Sequence, residues 1–548
     1  VKRGTTSFSN RFSNAEAETD GRDNSLSHGI SFSAHDRLYP CSNTGYQSDN
    51  TPWRRIRRTV SQPDNQTAWS RLYIDGKWRD AGASDTVPVT NPATGEEIAA
   101  VPAGTEGDVN DAYQAADAAQ SDWAALSREE RNEYVRSMIG VMRDRLDEIV
   151  ELLAVESGSV QAKATAEANF SLADFQSALE MVPPEEEVRD SMYHDDKDHH
   201  IVREPAGVVG IISPWNFPLH LTTRALGPAL ALGNTVVIKP ATDTPITGGL
   251  LLADIAEEAG LPDGVVNVVT GHGSDIGDRM AGHPTARVMS FTGSTAVGRS
   301  VASQAGDALA LPALELGGNG PFVVTEDADI EAAAKAGSVG AFGHQGQVCI
   351  SINRHLVHED VYDEYVETLV EHAESLTIGN PLDEDVEFGP IINESQIEQL
   401  TSFIEQTVDA GATLETGGEV DDLFLEPTVL SECTNDMSAA CNEHFGPVAP
   451  VIPFESDEEA VELANDTEYG LAAGVYSGDV EHGRSIADQI DAGMVHVNDH
   501  PIQDEPNAPF GGMKNSGLGR YNGEWIMDEL TETKWISVQH EERDYQLL

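Results

Sequence analysis

Gly207-Val-Val-Gly-Ile-Ile-Ser-Pro-Trp-Asn-Phe-Pro218 is an apolar run that ends in a polar and aromatic turn, and the same texture recurs along the next hundred residues. Strand candidates stand at 207–213, 235–239, 265–270 and 287–292, with helix-like intervals opening near Pro218, Pro245, Ser274 and Ser294. Apolar runs without polar alternation, separated by helices, specify βαβ units: a parallel sheet covered on both faces and joined by right-handed crossovers. Ligands of such sheets bind beyond the carboxyl ends of the strands. The polar residues of this region lie there: Trp215 and Asn216 after the first strand, Lys239 and Thr242 after the second, Gly271 and Gly273 after the third, Gly293 and Ser294 after the fourth.

Outward from this region the pattern continues. Downstream, 317–510 has strand candidates at 321–325, 354–358, 448–454 and 494–497 and helices at 330–340 and 362–376, which predicts a second α/β unit holding Cys349. Upstream, three- and four-residue spacing of Val135, Met138, Ile139 and Met142 predicts a helical zone from about 106 to 157. Before it stand the short strand 86–90 and the turn Asn91-Pro-Ala-Thr-Gly95. The acidic, Trp-containing tail from Glu524 can pair with the first unit or with another subunit.

The chain has 548 residues, with 93 Asp and Glu against 33 Lys and Arg, and among the cations 25 arginines against eight lysines. A formal charge of −60 predicts adaptation to a cytoplasm of molar salt, where the Debye length falls to about 3 Å. It argues against nucleic acid, whose phosphates need basic patches. The four cysteines form no Cys-x-x-Cys pair and no zinc spacing, so neither disulfide nor metal is expected and a reducing, cytoplasmic location fits. The uncharged run 205–223 contains Pro214, Asn216 and Pro218 and is no membrane helix. Residues 1–68 differ from the rest, with nine Lys/Arg against seven Asp/Glu, a net +2 beside −62 for the remainder. They predict a disordered extension. Arg54-Arg55 lacks a following apolar region, so export is not expected, and the escape from the acidic bias points to a later true start.

Several residues are candidates for chemistry, each beside a plainer alternative. Cys349, in Gly343-His-Gln-Gly-Gln-Val-Cys349, is a nucleophile or a small buried hydrophobe. Glu315, between leucines in Leu314-Glu-Leu-Gly-Gly318, is a general base of raised pKa or an acid on the wet face of a strand. Asn216 can cap the helix at Pro218 or donate its amide to an oxyanion. Lys239 is a ligand for a cofactor ribose or phosphate, or a solvated strand cap. Gly293-Ser294-Thr-Ala-Val-Gly298 is a diphosphate-binding helix start or an ordinary glycine turn.

Pro214-Trp-Asn-Phe-Pro218, Ile238-Lys-Pro240, Phe291-Thr-Gly-Ser-Thr295, Leu314-Glu-Leu-Gly-Gly318, Gly346-Gln-Val-Cys349, Glu443-His-Phe-Gly-Pro447 and Pro509-Phe-Gly-Gly512, in this order, resemble the aldehyde dehydrogenase superfamily over about residues 70–540. His344-Gln-Gly-Gln-Val-Cys349, His496-Val-Asn-Asp499 and Asp504-Glu-Pro506 look most like its benzaldehyde and vanillin dehydrogenase branch. The resemblance implies a Rossmann-like cofactor-binding domain (69–187 and 203–316), an α/β catalytic domain (317–520) and a β oligomerisation arm (188–202 and 521–548). It implies NAD or NADP as cofactor, an aldehyde as substrate, and a homodimer or homotetramer. Cys349 would attack the aldehyde, Asn216 and the Cys349 N–H would hold the oxyanion, and Glu315 would activate the water that hydrolyses the thioester. Lys239 and Glu443 would bind the two riboses, Phe445 and Trp215 would pack at the cofactor, and Ser294 with Gly293 would meet the diphosphate. Phe217, Ile350 and Phe510, with Trp215, would line the substrate pocket. Two departures follow: Thr242 stands where NAD-preferring members carry a glutamate, which admits NADP, and Tyr521 stands where many carry a relay glutamate. A cofactor-binding protein without turnover and a cysteine hydrolase are the alternatives.

Overall fold

The computed structural model describes residues 69–182, 186–383 and 385–543. Residues 1–68, and with them the expected disordered extension, lie outside it. Five consecutive parallel strands, Val208–Ile212, Thr235–Lys239, Val266–Val268, Ala286–Thr292 and Leu311–Glu315, form the centre of an eight-stranded sheet. Their spatial order is third, second, first, fourth, fifth, so the order reverses beside Val208–Ile212, which pairs in parallel with both Thr235–Lys239 and Ala286–Thr292. Short antiparallel strands close the edges: Leu72–Ile74 and Lys77–Arg79 on one side, Gly517–Leu518 on the other. The strands the sequence predicts in this region agree with those observed to within two residues at each end.

These strands read as continuous apolar runs because both faces are covered, and Val209, Val236, Val237 and Ile238 are fully buried. Each such side chain contributes about 1.5–3 kcal/mol through burial. The helical zone resolves into Glu106–Ala125, Arg128–Asp144 and Leu146–Ser157, and a further helix, Gln161–Glu180, follows it. Apolar spacing does not reveal that fourth helix, since its inner face buries Glu167, Ser171 and Asp174 among Ala164, Ala168 and Phe175.

Strand Leu311–Glu315 runs almost directly into Gly320–Val324, the first strand of a seven-stranded sheet that also contains Ile352–His358, Val448–Phe454, Ala472–Tyr476 and Met494–Val497 in parallel. The cysteine-bearing segment links helix Ile330–Phe342 to strand Ile352–His358. A third sheet pairs Lys197–Pro205 antiparallel with Glu187–Asp190 on one side and Thr531–Gln539 on the other. The tail therefore pairs within the chain, preceded by the helix Trp525–Leu530. No helix among the described residues is long and apolar enough to cross a membrane.

Glu156 fixes the loop that follows strand Thr235–Lys239. It is wholly buried, and its carboxylate accepts the N–H groups of Ile246 and Thr247, each at 2.7 Å, and the Thr247 hydroxyl. These donors open the helical segment Ile246–Glu258, whose own residues supply no cap. Glu156→Ala strands them in the interior, where each unmet group costs about 1–3 kcal/mol. A thermal melt is expected to show a clearly lower midpoint, with Glu156→Gln intermediate.

Candidate active site

A cleft of about 420 Å³ opens along the carboxyl edge of the first sheet, where the strand order reverses. Its walls come from the ends of all five parallel strands and the segments after them: Ser213, Pro214, Trp215 and Asn216; Lys239, Ala241, Thr242 and Asp243; Gly273; Gly293 and Ser294; Glu315, Leu316 and Gly317. The second unit contributes Cys349, Gln396, Gln399, Glu443 and Phe445. Ten of the thirteen residues that the sequence marks thus meet in one place. Phe217, Ile350 and Phe510 do not line this cleft; they pack, with Cys349, in the apolar cluster beside it.

The Cys349 loop is held in an uncommon conformation. His344, Gln345 and Gly346 all have φ between 48° and 67°, a left-handed stretch that only glycine adopts without cost. A Cβ on Gly346 would lie 2.1 Å from the Gly446 carbonyl oxygen. Gln347 secures the loop: it is wholly buried, and its Oε1 accepts the Ile392 N–H at 3.0 Å. The Gln347 carbonyl in turn accepts the Asn216 side-chain amide at 2.8 Å, leaving the second amide hydrogen for another acceptor. Asn216 thus does not cap the helix Pro218–Ala231, which has no side-chain cap at its own N-cap residue.

Cys349 itself is partly exposed at the cleft. Burial pushes its thiol up to about 12, against a smaller downward pull from the Arg224 guanidinium. Glu315, at the end of its strand, is 1% exposed and neither carboxyl oxygen has a hydrogen-bond partner. The wet-face alternative is therefore excluded. Burial raises its pKa to about 8, with Arg224 and Arg520 drawing it back. Arg224 is buried too, 3.1 Å from Asp504 and stacked on the rings of Phe510 and Tyr521 at 4.2 and 4.9 Å. Tyr521 shares a hydrogen bond of 2.6 Å with the Ser290 hydroxyl and donates to the Ala313 carbonyl, so it braces the sheet from below.

The remainder of the cleft suits a dinucleotide. Lys239 is 3% exposed and donates to the Pro240 carbonyl at 2.9 Å. Among the described residues no carboxylate lies within ion-pair distance of it, and burial lowers its pKa to about 8. A cation so buried is not a solvated strand cap. Ser294 is the exposed N-cap of helix Thr295–Asp307, whose positive end faces the cleft where a diphosphate would lie. Glu443 accepts the Gly318 N–H at 3.0 Å, and a Cβ on Gly317 would meet its Oε2 at 2.2 Å. Phe445, with φ 55°, meets the Trp215 ring edge-on at 5.4 Å.

A model of the aldehyde dehydrogenase family matches residues 78–536. The chain belongs to the aldehyde dehydrogenase family. Vanillin dehydrogenase of Corynebacterium glutamicum is 44% identical over 474 residues, which span 86% of this chain and 98% of that protein. Benzaldehyde dehydrogenase YfmT of Bacillus subtilis is 41% identical over 477 residues, 87% of this chain and 98% of that one. Among solved structures, betaine aldehyde dehydrogenase of Staphylococcus aureus in complex with NAD+ superposes with a TM-score of 0.86 at 32% identity, covering 90% of this chain and 99% of that one. This aldehyde dehydrogenase oxidises an aldehyde to the carboxylic acid with NAD or NADP as cofactor, and its fold is the expected pairing of a Rossmann-like unit with a second α/β unit.

Three residues that shape the site of this aldehyde dehydrogenase escape the sequence reading. Gln347 stands inside a quoted motif, yet only its burial shows that it ties Asn216 to the cysteine loop. Arg224 lies in an apolar helix where a guanidinium has no visible partner until Asp504 arrives from 280 residues away. Lys163 carried one available signal, the scarcity of lysine, of which the chain has only eight. Gly317→Ala tests the cleft directly: the new methyl displaces Glu443 from the Gly318 N–H. Cofactor affinity, followed by quenching of tryptophan fluorescence, is expected to fall about ten-fold or more, with little change in the melting midpoint.

Proposed function

We propose that this enzyme oxidises aromatic aldehydes of the benzaldehyde and vanillin type, with Cys349 as nucleophile, Asn216 as oxyanion donor and Glu315 as general base. The observation that carries the mechanism is the meeting, in one cleft, of a partly exposed thiol and a buried carboxyl with both oxygens unpartnered. A protein that only bound the cofactor has no use for such a carboxyl, and a cysteine hydrolase has none for a buried lysine at the sheet edge.

The Cys349 thiol loses its proton to solvent and its sulfur forms a bond to the aldehyde carbon, while the carbonyl electron pair moves to oxygen, where the Asn216 amide and the Cys349 N–H stabilise it; one such donor is worth about 3–4 kcal/mol. NAD or NADP, held in the cleft, would supply a hydride acceptor, so that the carbon bonded to Cys349 reaches the oxidation level of an acyl thioester. Glu315 takes a proton from water, the hydroxide equivalent adds to the acyl carbon, and the carbon–sulfur bond breaks to release the acid and restore the thiol. Lys239, Ser294, Gly293 and Glu443 would hold the cofactor, with Trp215 and Phe445 packed against it. Thr242 puts no carboxylate at its position in the cleft, which admits NADP beside NAD.

The relatives named for vanillin and benzaldehyde support the aromatic substrate, and so does the apolar cluster that joins Phe217, Ile350 and Phe510 to Cys349. We assign 69–187 with 203–316 to cofactor binding and 317–520 to catalysis. We assign 188–202 with 521–548 to an arm that joins two or four copies; Val188, Met192, Tyr193 and Trp535 lie exposed on this arm. The charge of −62 beyond residue 68 supports a cytoplasm of high salt as the working solvent.

Two measurements check these assignments. In molar KCl, with benzaldehyde, vanillin, acetaldehyde and succinate semialdehyde as substrates and NAD+ or NADP+ as oxidant, turnover is expected to be highest for the two aromatic aldehydes and absent in Cys349→Ala. Preference for the aliphatic aldehydes overturns the substrate assignment, and a working Cys349→Ala overturns the mechanism. Because Glu315 acts only when ionised and its pKa is raised to about 8, the rate of thioester hydrolysis, followed after the burst of reduced cofactor, should rise from pH 7 to 9 and level off above. Glu315→Gln should remove that inflection and slow thioester hydrolysis by about 100-fold or more, with a burst of reduced cofactor still visible.

A further inference from the structure

Lys163 and Glu167 stand one turn apart on the helix Gln161–Glu180, and their side chains are 8% and 0% exposed. The Lys163 ammonium has three donors and three acceptors: Glu167 Oε2 at 2.5 Å, the Ser159 hydroxyl at 2.8 Å and the Asn216 carbonyl at 2.7 Å. It also lies 4.1 Å from the centroid of the Phe217 ring. The other oxygen of Glu167 accepts the N–H groups of Leu219 and His220, at 2.9 and 3.3 Å, in the first turn of helix Pro218–Ala231. Two side chains of one helix therefore hold the carbonyl of Asn216, the ring of Phe217 and the first-turn donors of the helix that follows.

Such a pair is a poor stabiliser. Desolvating two charges costs several kcal/mol per ion, and apolar residues of the same volume often serve as well. What this pair supplies is position. Asn216 is gripped on its backbone by Lys163 and on its side chain by the Gln347 carbonyl, two residues ahead of Cys349. Neither grip suffices alone, because a backbone fixed without its side chain leaves the amide free to rotate, and the reverse leaves the loop free to shift.

We propose that Lys163 and Glu167 are positioning residues for the oxyanion donor: the pair fixes the backbone of Asn216 so that its amide is already aimed beside Cys349 when the carbonyl oxygen becomes negative. The proposal rests on the assignment of Asn216 as that donor. Preorganised donors act because nothing has to reorient during reaction, and a displacement of about 1 Å can cost as much as 100-fold.

The test uses two probes: p-nitrophenyl acetate, whose hydrolysis needs a nucleophile and an oxyanion donor and no nucleotide, and benzaldehyde with NAD+. Asn216→Ala is expected to lower kcat by about 100-fold or more with both. Lys163→Met should lower it by about ten-fold or more with both, leaving the dissociation constant for NAD+ within two-fold, about the scatter of a titration. The deciding variant is Lys163→Met made together with Asn216→Ala. If Lys163 acts through Asn216, the second substitution costs nothing further; a full multiplicative loss in the double variant overturns the proposal, as does an unchanged kcat in Lys163→Met. An unchanged kcat in Asn216→Ala overturns the oxyanion assignment itself, and the two failures are thus told apart. Should Lys163→Met not fold, Glu167→Gln takes its place in the same cycle, since it keeps the shape and one acceptor oxygen while removing the charge that anchors the ammonium.

Discussion

A parallel sheet sends the carboxyl end of every strand to the same edge, and where the strand order reverses, the two flanking connections leave in opposite directions and a crevice opens between them. The site depends on this constraint. Strand Val208–Ile212 delivers Asn216, Thr235–Lys239 delivers Lys239, Ala286–Thr292 delivers Ser294, and Leu311–Glu315 ends on the glutamate itself. Their spacing is set by strand separation of about 4.8 Å, not by loop flexibility. The last of these strands then crosses into the second sheet through Gly317 and Gly318, where a Cβ on Gly318 would lie 2.2 Å from the Cys349 carbonyl oxygen. That close passage brings the cysteine loop of one unit against the strand end of the other.

The parts visible in the sequence are those where chain order and physical role coincide. Continuous apolar runs revealed the two parallel sheets, because burial on both faces leaves no polar alternation, and the ends of those runs gave seven of the cleft's members, Trp215, Asn216, Lys239, Thr242, Gly273, Gly293 and Ser294, while Glu315, Cys349, Glu443 and Phe445 were legible only through their motifs. The helix Gln161–Glu180 stayed hidden because it buries acids: Glu167 and Asp174 face inward to Lys163 and His220, partners that periodicity cannot see. Phe217, Ile350 and Phe510 were legible as apolar neighbours of the nucleophile, but which wall each one faces depends on packing between segments nearly 300 residues apart. The tail's partner was undecidable for the same reason, since a strand exposed along most of its length fits any open edge.

Charge is distributed on two principles. Over most of the surface the chain replaces lysine with acid, and only eight lysines remain in 548 residues. Two of those eight have buried side chains near the site: Lys239 in the wall of the cleft and Lys163 behind it, on the Asn216 carbonyl. The interior beside Cys349 is also where burial raises the pKa of Glu315 and of the thiol together, so the resting site carries little net negative charge of its own. Arg224, held between Asp504 and two aromatic rings, is the fixed positive charge that both groups feel.

The three-stranded sheet has a temporal consequence. Strand Lys197–Pro205 pairs over its whole length with Thr531–Gln539, from Pro205 opposite Thr531 to Lys197 opposite Gln539. During synthesis the first of these emerges more than 300 residues before the second, and at ribosomal rates of about 5–20 residues per second that leaves one edge of a β-hairpin open for tens of seconds. An open edge is a template for pairing with any other chain. Its residues answer that exposure with charge: Lys197, Asp198, Arg203 and Glu204 stud the waiting strand, and its neighbour Glu187–Asp190 adds more. Thr531–Gln539 is the last strand of the described residues to be synthesised, and the charges on Lys197–Pro205 disfavour pairing of its open edge with another chain until then.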